Sequence, residues 1–227
     1  MRNITYFFLL LILISCNKKN KEFTDFIPKE YQYPIKKIGK GKSLHYQRMG
    51  SIDGFEKINL SKVKESNTEF LIYSRHDKHF LLDSIKTTLD GKLVEIYNFN
   101  LLRKIEPDHF KGIKGKLINN KIVDDGSKFG KRISTILYQG KHRNITIYEE
   151  ERYLCDTILK EDLTSLKCIV TETKSTIQYK KKNVSVGMER IKTKSYYAKN
   201  KGLYLIEHES KDDSSAWIKS FEENIIN

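Results

Sequence analysis

Three cysteines offer the most chemistry in this chain, and their spacing divides them into one and two. Cys16 follows Leu13-Ile14-Ser15 at the end of an apolar run from Tyr6 to Ile14, with Arg2 as a short positive start. Charge, short apolar stretch and small residue make the layout of a secretory signal. The run is too short for a transmembrane helix, which needs ~20 apolar residues. Cys155 and Cys168 remain as an even pair, and in an oxidising compartment an even pair is read first as a disulfide. A hairpin folded about Glu161 and Asp162 sets 155 opposite 168, and a bridge closing a loop of that size would stabilise by ~3 kcal/mol. Two reduced thiols are the other reading. Zinc has no support here, because neither a Cys-x-x-Cys nor paired histidines supply four ligands.

The remaining candidates are weaker. His76-Asp77-Lys78-His79 has the residue types of a metal site, but on a strand positions 76 and 79 point to opposite faces, and a fourth ligand is missing. An exposed turn is the expectation. Glu149-Glu150-Glu151 before Arg152 reads as a solvated strand end. The chain has no Gly-x-Ser-x-Gly elbow, no His-Glu-x-x-His and no phosphate loop, and Gly39-Lys40-Gly41-Lys42 lacks the spacing of a nucleotide site. The reading is therefore of no catalytic residues, no metal and no cofactor.

Leu13-Ile14-Ser15-Cys16 resembles the lipobox of bacterial lipoproteins, whose cysteine receives lipid and becomes the new N-terminus after cleavage. The resemblance implies a signal peptide over residues 1–15 and several acyl chains, palmitate among them, on Cys16. That fits the physics, since a single acyl chain binds a membrane only marginally, at ~0.8 kcal/mol per buried methylene. Asn17 stands beside the cysteine where an aspartate retains many such proteins in the inner membrane, so the outer membrane is favoured, with the body facing the periplasm. Asn17-Lys18-Lys19-Asn20-Lys21 is basic, and reads either as a tether whose lysines lie near anionic head groups or as a merely solvated linker.

Composition narrows the body. Hydrophobic residues at 38% and aromatics at 11% suffice for a core and exclude the disordered class. The formal net charge is +13; only Arg2 lies in the expected signal, so the remainder keeps +12. Nucleic-acid binding is discounted, because the lysines are scattered singly along alternating segments rather than gathered in one patch. Ala occurs only at Ala198 and Ala216 while Lys, Asn and Ile abound, the bias of an AT-rich genome.

The elements that must position any site are strands. After a tether over 16–43, with Pro28, Pro34, Gly39 and Gly41 among its lysines, residues 44–227 read as one antiparallel β domain. Asp90-Gly91 suits a tight hairpin, and Asn119-Asn120 is a second hairpin candidate. Leu101 to Phe110 breaks the alternation and fits a short helix or structured loop. Ile169, Thr171, Thr173, Ser175, Ile177 and Tyr179 share one face of a strand, and Ile191, Thr193, Ser195 and Tyr197 share another. The Thr and Ser positions leave room for a partly polar concavity. Residues 215–225 fit a last strand, with a helix as the alternative.

Tyr196-Tyr197-Ala198-Lys199-Asn200-Lys201-Gly202-Leu203-Tyr204-Leu205-Ile206 resembles the strand-turn-strand signature of periplasmic half-barrel lipoproteins, a group similar to the Lol-type carriers. The resemblance implies a curved antiparallel sheet and a hydrophobic ligand, and transfers no functional residue. The expected fold is thus mainly β: a curved antiparallel sheet or half-barrel with at most one or two short helices. The expected function is non-enzymatic, a lipid-anchored envelope module that binds a hydrophobic ligand or a protein partner. An envelope hydrolase with a site dispersed over loops, or a passive surface antigen or spacer, are the alternatives.

Overall fold

The computed structural model describes residues 26–50, 54–77, 80–89, 93–99, 112–140, 143–161, 164–182, 184–211 and 214–224. Cys16 and the signal peptide expected over residues 1–15, the hairpin expected at Asp90-Gly91 and the segment Leu101 to Phe110 lie outside these residues. The expected curved antiparallel sheet is present and goes further, closing on itself as a twelve-stranded barrel. The strands are β1 Gly41–Arg48, β2 Phe55–Glu65, β3 Thr68–Asp77, β4 Leu81–Thr88, β5 Leu93–Asn98, β6 Ile113–Val123, β7 Lys131–Gln139, β8 Asn144–Glu161, β9 Thr164–Lys181, β10 Val184–Ala198, β11 Gly202–Ser210 and β12 Ser214–Asn224. Each pairs antiparallel with its sequence neighbours, and β1 pairs with β12 from Lys42↔Asn224 to Arg48↔Trp217. An even number of strands lets the last meet the first antiparallel, so no strand is left at an edge. Residues 215–224 are therefore strand, not helix.

Two single-turn 3-10 helices, Lys29–Tyr31 and Ile35–Lys37, precede β1. They belong to a strap, residues 26–40, at the end of the barrel where β1 begins and β12 finishes; we call this the lower end. The strap is docked. Phe26 and Ile38 are buried, Asn200 N–H donates to the Glu30 carbonyl at 2.6 Å, and Tyr33 Oη donates to Glu222 Oε2 at 2.8 Å. Gly202 explains the close approach. Its φ is +71°, and a Cβ there would stand 2.9 Å from the Tyr33 backbone nitrogen.

Inside the barrel the alternation holds as expected on β9 and β10. Ile169, Thr171, Ile177 and Tyr179 are buried, and across β10 the register sets Thr171 against Ser195 and Thr173 against Thr193. The core forms three patches. One joins Ile96, Ile136, Tyr138, Ile145, Ile177 and Tyr179; a second joins Ile38 of the strap to Leu44, Tyr46, Leu60 and Leu71; a smaller third joins Cys168, Ala198 and Tyr204. The outer wall carries a charged cluster across β8–β11. On it Arg152 Nη2 lies 2.8 Å from Glu172 Oε1, and Lys192 Nζ lies 3.5 Å from Glu172 and 3.4 Å from Glu209. Burial alone would raise the Glu172 carboxyl, but Arg152, Lys192 and Lys174 outweigh it and hold the pKa below the usual range. Such a charged ladder does not suit a lipid-facing band, where a lysine or arginine at the midplane costs ~2–4 kcal/mol.

Two sequence expectations are corrected. Asn119-Asn120 is not a turn: β6 runs straight through it, with a bulge between Leu117 and Asn119. Neither residue is a glycine, and Leu117 and Ile122 on either side both find partners on β7, so continuing the strand is better than folding back. The disulfide between Cys155 and Cys168 is also absent; both are free thiols, Cys155 exposed and Cys168 buried. The β8–β9 hairpin pairs Glu161 with Thr164 rather than turning about Glu161 and Asp162. Cys155 then faces Val170 and Cys168 faces Thr157, one diagonal apart.

Two outcomes follow from this arrangement. Native protein carrying Cys16→Ser, treated with N-ethylmaleimide without reductant, should take up one adduct at Cys155 quickly and a second at Cys168 only on unfolding, as read by intact mass. Gly202→Ala should destabilise by about 1–3 kcal/mol, read by urea unfolding, because it demands a positive φ of a residue with a Cβ and pushes on the strap.

Candidate ligand cavity in the barrel lumen

The lower half of the lumen is not filled. A cavity of about 740 Å³ lies between the strap and the barrel wall. The strap contributes Phe26, Ile27, Gln32 and Tyr33 to its lining, and the inward faces of β1 and β2 contribute Leu44, Tyr46, Ile58 and Leu60. Further round are Tyr73 and Arg75 of β3, Asp83, Ile85 and Thr87 of β4, residues 120–122 of β6, and Arg132. Period-two alternation explains the β1–β4 set, since each strand lends every second residue to the lumen. Tyr46 is fully buried and donates its hydroxyl to the Leu203 carbonyl at 2.9 Å, so its polar group is already satisfied.

The lumen also holds fixed charges. Arg75 clasps Asp83, with Nε and Nη2 at 3.0 and 2.6 Å from Oδ2. Burial works against the Arg75 charge, yet Asp83 and Glu56 outweigh it and raise its pKa. Arg132 Nη2 donates to Glu151 Oε2, Thr171 Oγ1 donates to Glu151 Oε1 at 2.8 Å, and the Phe26 ring lies 5.7 Å from the Arg132 guanidinium. Glu149 accepts from Ser134 at 3.1 Å and from Ser175 at 3.3 Å. The space thus has an apolar side against the strap, β1 and β2, and a polar side of internally satisfied ion pairs. An alkyl chain fits the first, and a polar head group fits beside the second.

Sequence reasoning missed Glu149 and Glu151. They extend the inward face of Ile145 and Ile147, whereas Glu150 alone is at the outer surface, 3.4 Å from Lys131 Nζ. Carrying the alternation on from Ile147 to positions 149 and 151 was the available signal. His76 lies beside Asn59, its Nε2 at 3.4 Å from the amide nitrogen, and Lys78 and His79 fall outside the described residues. Among the described residues no group of three or more His, Cys, Asp or Glu is placed to hold a metal. No described helix is long and apolar enough to cross a membrane.

Glu56 carries a testable sign. It lies on β2 opposite Tyr46 and Asp77. Burial raises its carboxyl pKa, Asp83 and Asp77 add to the rise, and Arg75 opposes it. A carboxyl raised on folding holds its proton longer in the native state, so it costs stability as pH climbs through and above the ordinary carboxylate range. Glu56→Gln should therefore be at least as stable as the wild type at pH 7, and the gap should close near pH 4, read as urea midpoints across that range.

No family model matches the chain, and no curated protein matches it. Two solved structures are similar in outline. One is an inferred exported protein with YmcC-like fold from Bacteroides fragilis, 11% identical with a TM-score of 0.43 over 82% of this chain and 96% of that one. The other is an inferred lipoprotein from Parabacteroides distasonis, 9% identical with a TM-score of 0.42 over 85% and 98% of the two chains. Likenesses at this distance do not bear on function.

Proposed function

We propose that this protein is a non-enzymatic lipoprotein of the bacterial envelope, anchored through Cys16, whose barrel holds a ligand bearing an alkyl chain. The cavity of about 740 Å³ carries the reading. It falls in the range of ligand sites, ~300–1,000 Å³, and combines an apolar lining with a few placed polar groups, as such sites do. Arg75 is bound to Asp83 and Arg132 to Glu151 rather than aimed at an open point where a reaction would be catalysed. The anchor rests on the Leu13-Ile14-Ser15-Cys16 sequence. Outer-membrane attachment facing the periplasm is part of the same proposal and follows from Asn17.

The position of Phe26 supports this reading. Phe26 is ten residues past Cys16 and lines the cavity, and ten residues of chain reach at most about 36 Å. The cavity therefore lies at the barrel end nearest the tether, within reach of the membrane that would supply an alkyl-chain ligand.

Two measurements test the two halves of the proposal. Intact mass of membrane-fraction protein should begin at Cys16 with added acyl chains, and Cys16→Ala should lack that species. Retention of residues 1–15 in the wild type would end the lipoprotein reading. Lipid extracted from purified protein should fall severalfold in Ile58→Trp and Ile85→Trp, which fill the cavity from its wall, and should be unchanged in Val186→Trp on the exposed surface.

A further inference from the structure

The wall of the barrel has one weak seam. β5 and β6 share two paired positions, Tyr97↔Lys114 and Asn98↔Ile113, both at the upper end. The next shortest ladders, β4–β5 and β11–β12, have five each. Below the two pairs, β5 and β6 make no further ladder among the described residues. Each strand breaks its pairing with its other neighbour by a bulge just there. On β5 the extra residue is Val94, because Lys86 pairs with Glu95 and Thr87 with Leu93. On β6 it is Ile118, because Leu117 pairs with Ile136 and Asn119 with Thr135. Continuing the Tyr97↔Lys114 register would bring Val94 opposite Leu117, one residue from Ile118. Bulges re-aim side chains and end pairing beside functional sites. Both bulged residues are large, apolar and exposed, Val94 at 43% and Ile118 at 54%.

The cavity reaches this seam. Its lining passes from Ile85 and Thr87 on β4 to residues 120–122 on β6 and includes no residue of β5. Asn120 and Ile122 face inward, opposite Ser134 and Arg132. Lys121, between them, belongs to the outer face by alternation and still lines the cavity. The space therefore runs past the free edge of β6. Higher up the seam is shut by close packing, since a Cβ on Gly115 would stand 2.8 Å from Tyr138 Cε1 and 2.9 Å from Ile96 Cγ2.

We propose that the lower seam between β5 and β6 is the doorway through which an alkyl chain passes sideways into the lumen. This rests on the lumen being the ligand site. Parting the two strands below Gly115 breaks no ladder hydrogen bond of the described structure, so opening is cheap there and costly anywhere else in the wall. Val94 and Ile118 give a chain apolar contact outside, and Ile85 and Ile122 continue it within.

The test staples the seam. Val94→Cys with Ile118→Cys is made in the whole mature chain carrying Cys16→Ser and Cys155→Ser, which leaves buried Cys168 as the sole other thiol. Uptake of the fluorescent fatty acid cis-parinaric acid is followed by stopped flow. The reduced form should load at the wild-type rate, and the oxidised form should load at least about tenfold more slowly, as gated association does. Protein oxidised after loading should retain its probe. Equal rates for the oxidised and reduced forms would overturn the doorway and leave the lumen site standing. No uptake by any form, or uptake that Ile58→Trp does not diminish, would instead overturn the lumen site. If the cross-link does not form, Val94→Asp with Ile118→Asp serves in its place; both residues are exposed, so the fold tolerates them, and unslowed loading by that variant would also overturn the doorway.

Discussion

Everything in this molecule depends on the pairing of β1 with β12. Without it the strands would form a long twisted ribbon with two unpaired edges and no inside. With it, alternation along each strand becomes a distinction between lumen and solvent, and every second residue is committed to one or the other. The strap then matters because closure creates an end to be covered. Ile38 joins the core patch of Leu44, Tyr46, Leu60 and Leu71, so the strap of residues 26–40 is part of the fold.

The interior is divided by chemistry. Aliphatic and tyrosine side chains occupy the two larger patches, while Arg75, Asp83, Arg132 and Glu151 sit in pairs between strands. Buried charge is tolerated only when its partners are in place. Glu151 illustrates this, with the guanidinium of Arg132 on one oxygen and the Thr171 hydroxyl on the other. A lumen built this way holds its polar groups still, and its remaining space takes its character from the aliphatic residues and rings around it.

Much of the fold was legible in the sequence because strands of period two declare themselves. The shared faces of Ile169 to Tyr179 and of Ile191 to Tyr197 point into the lumen as the pattern requires. Closure was not legible, since nothing local to residues 42 or 224 says that they are partners. Local turn chemistry misled at Asn119-Asn120, where tertiary pairing with β7 overrides a turn preference. The disulfide failed on a shift of register too small for residue types to reveal. The cavity itself could not be read, because it is made by residues from eight strands and the strap that meet only after closure. Its polar half was within reach, had the inward face of Ile145 and Ile147 been followed on to Glu149 and Glu151.

The closing ladder joins residues 182 positions apart, Lys42 with Asn224, whereas every other ladder joins consecutive strands. A chain emerging N-terminus first therefore makes β1 at the outset and must wait for β12 to complete it. Until then one face of β1 carries unpaired amides and carbonyls, and the sheet grows hairpin by hairpin from an edge that stays open to other chains. Closure of so long a loop is entropically slow. Assembly of this barrel is accordingly a race between its last strand and any stray β-edge nearby, and concentration during synthesis, more than final stability, decides the yield of closed molecules.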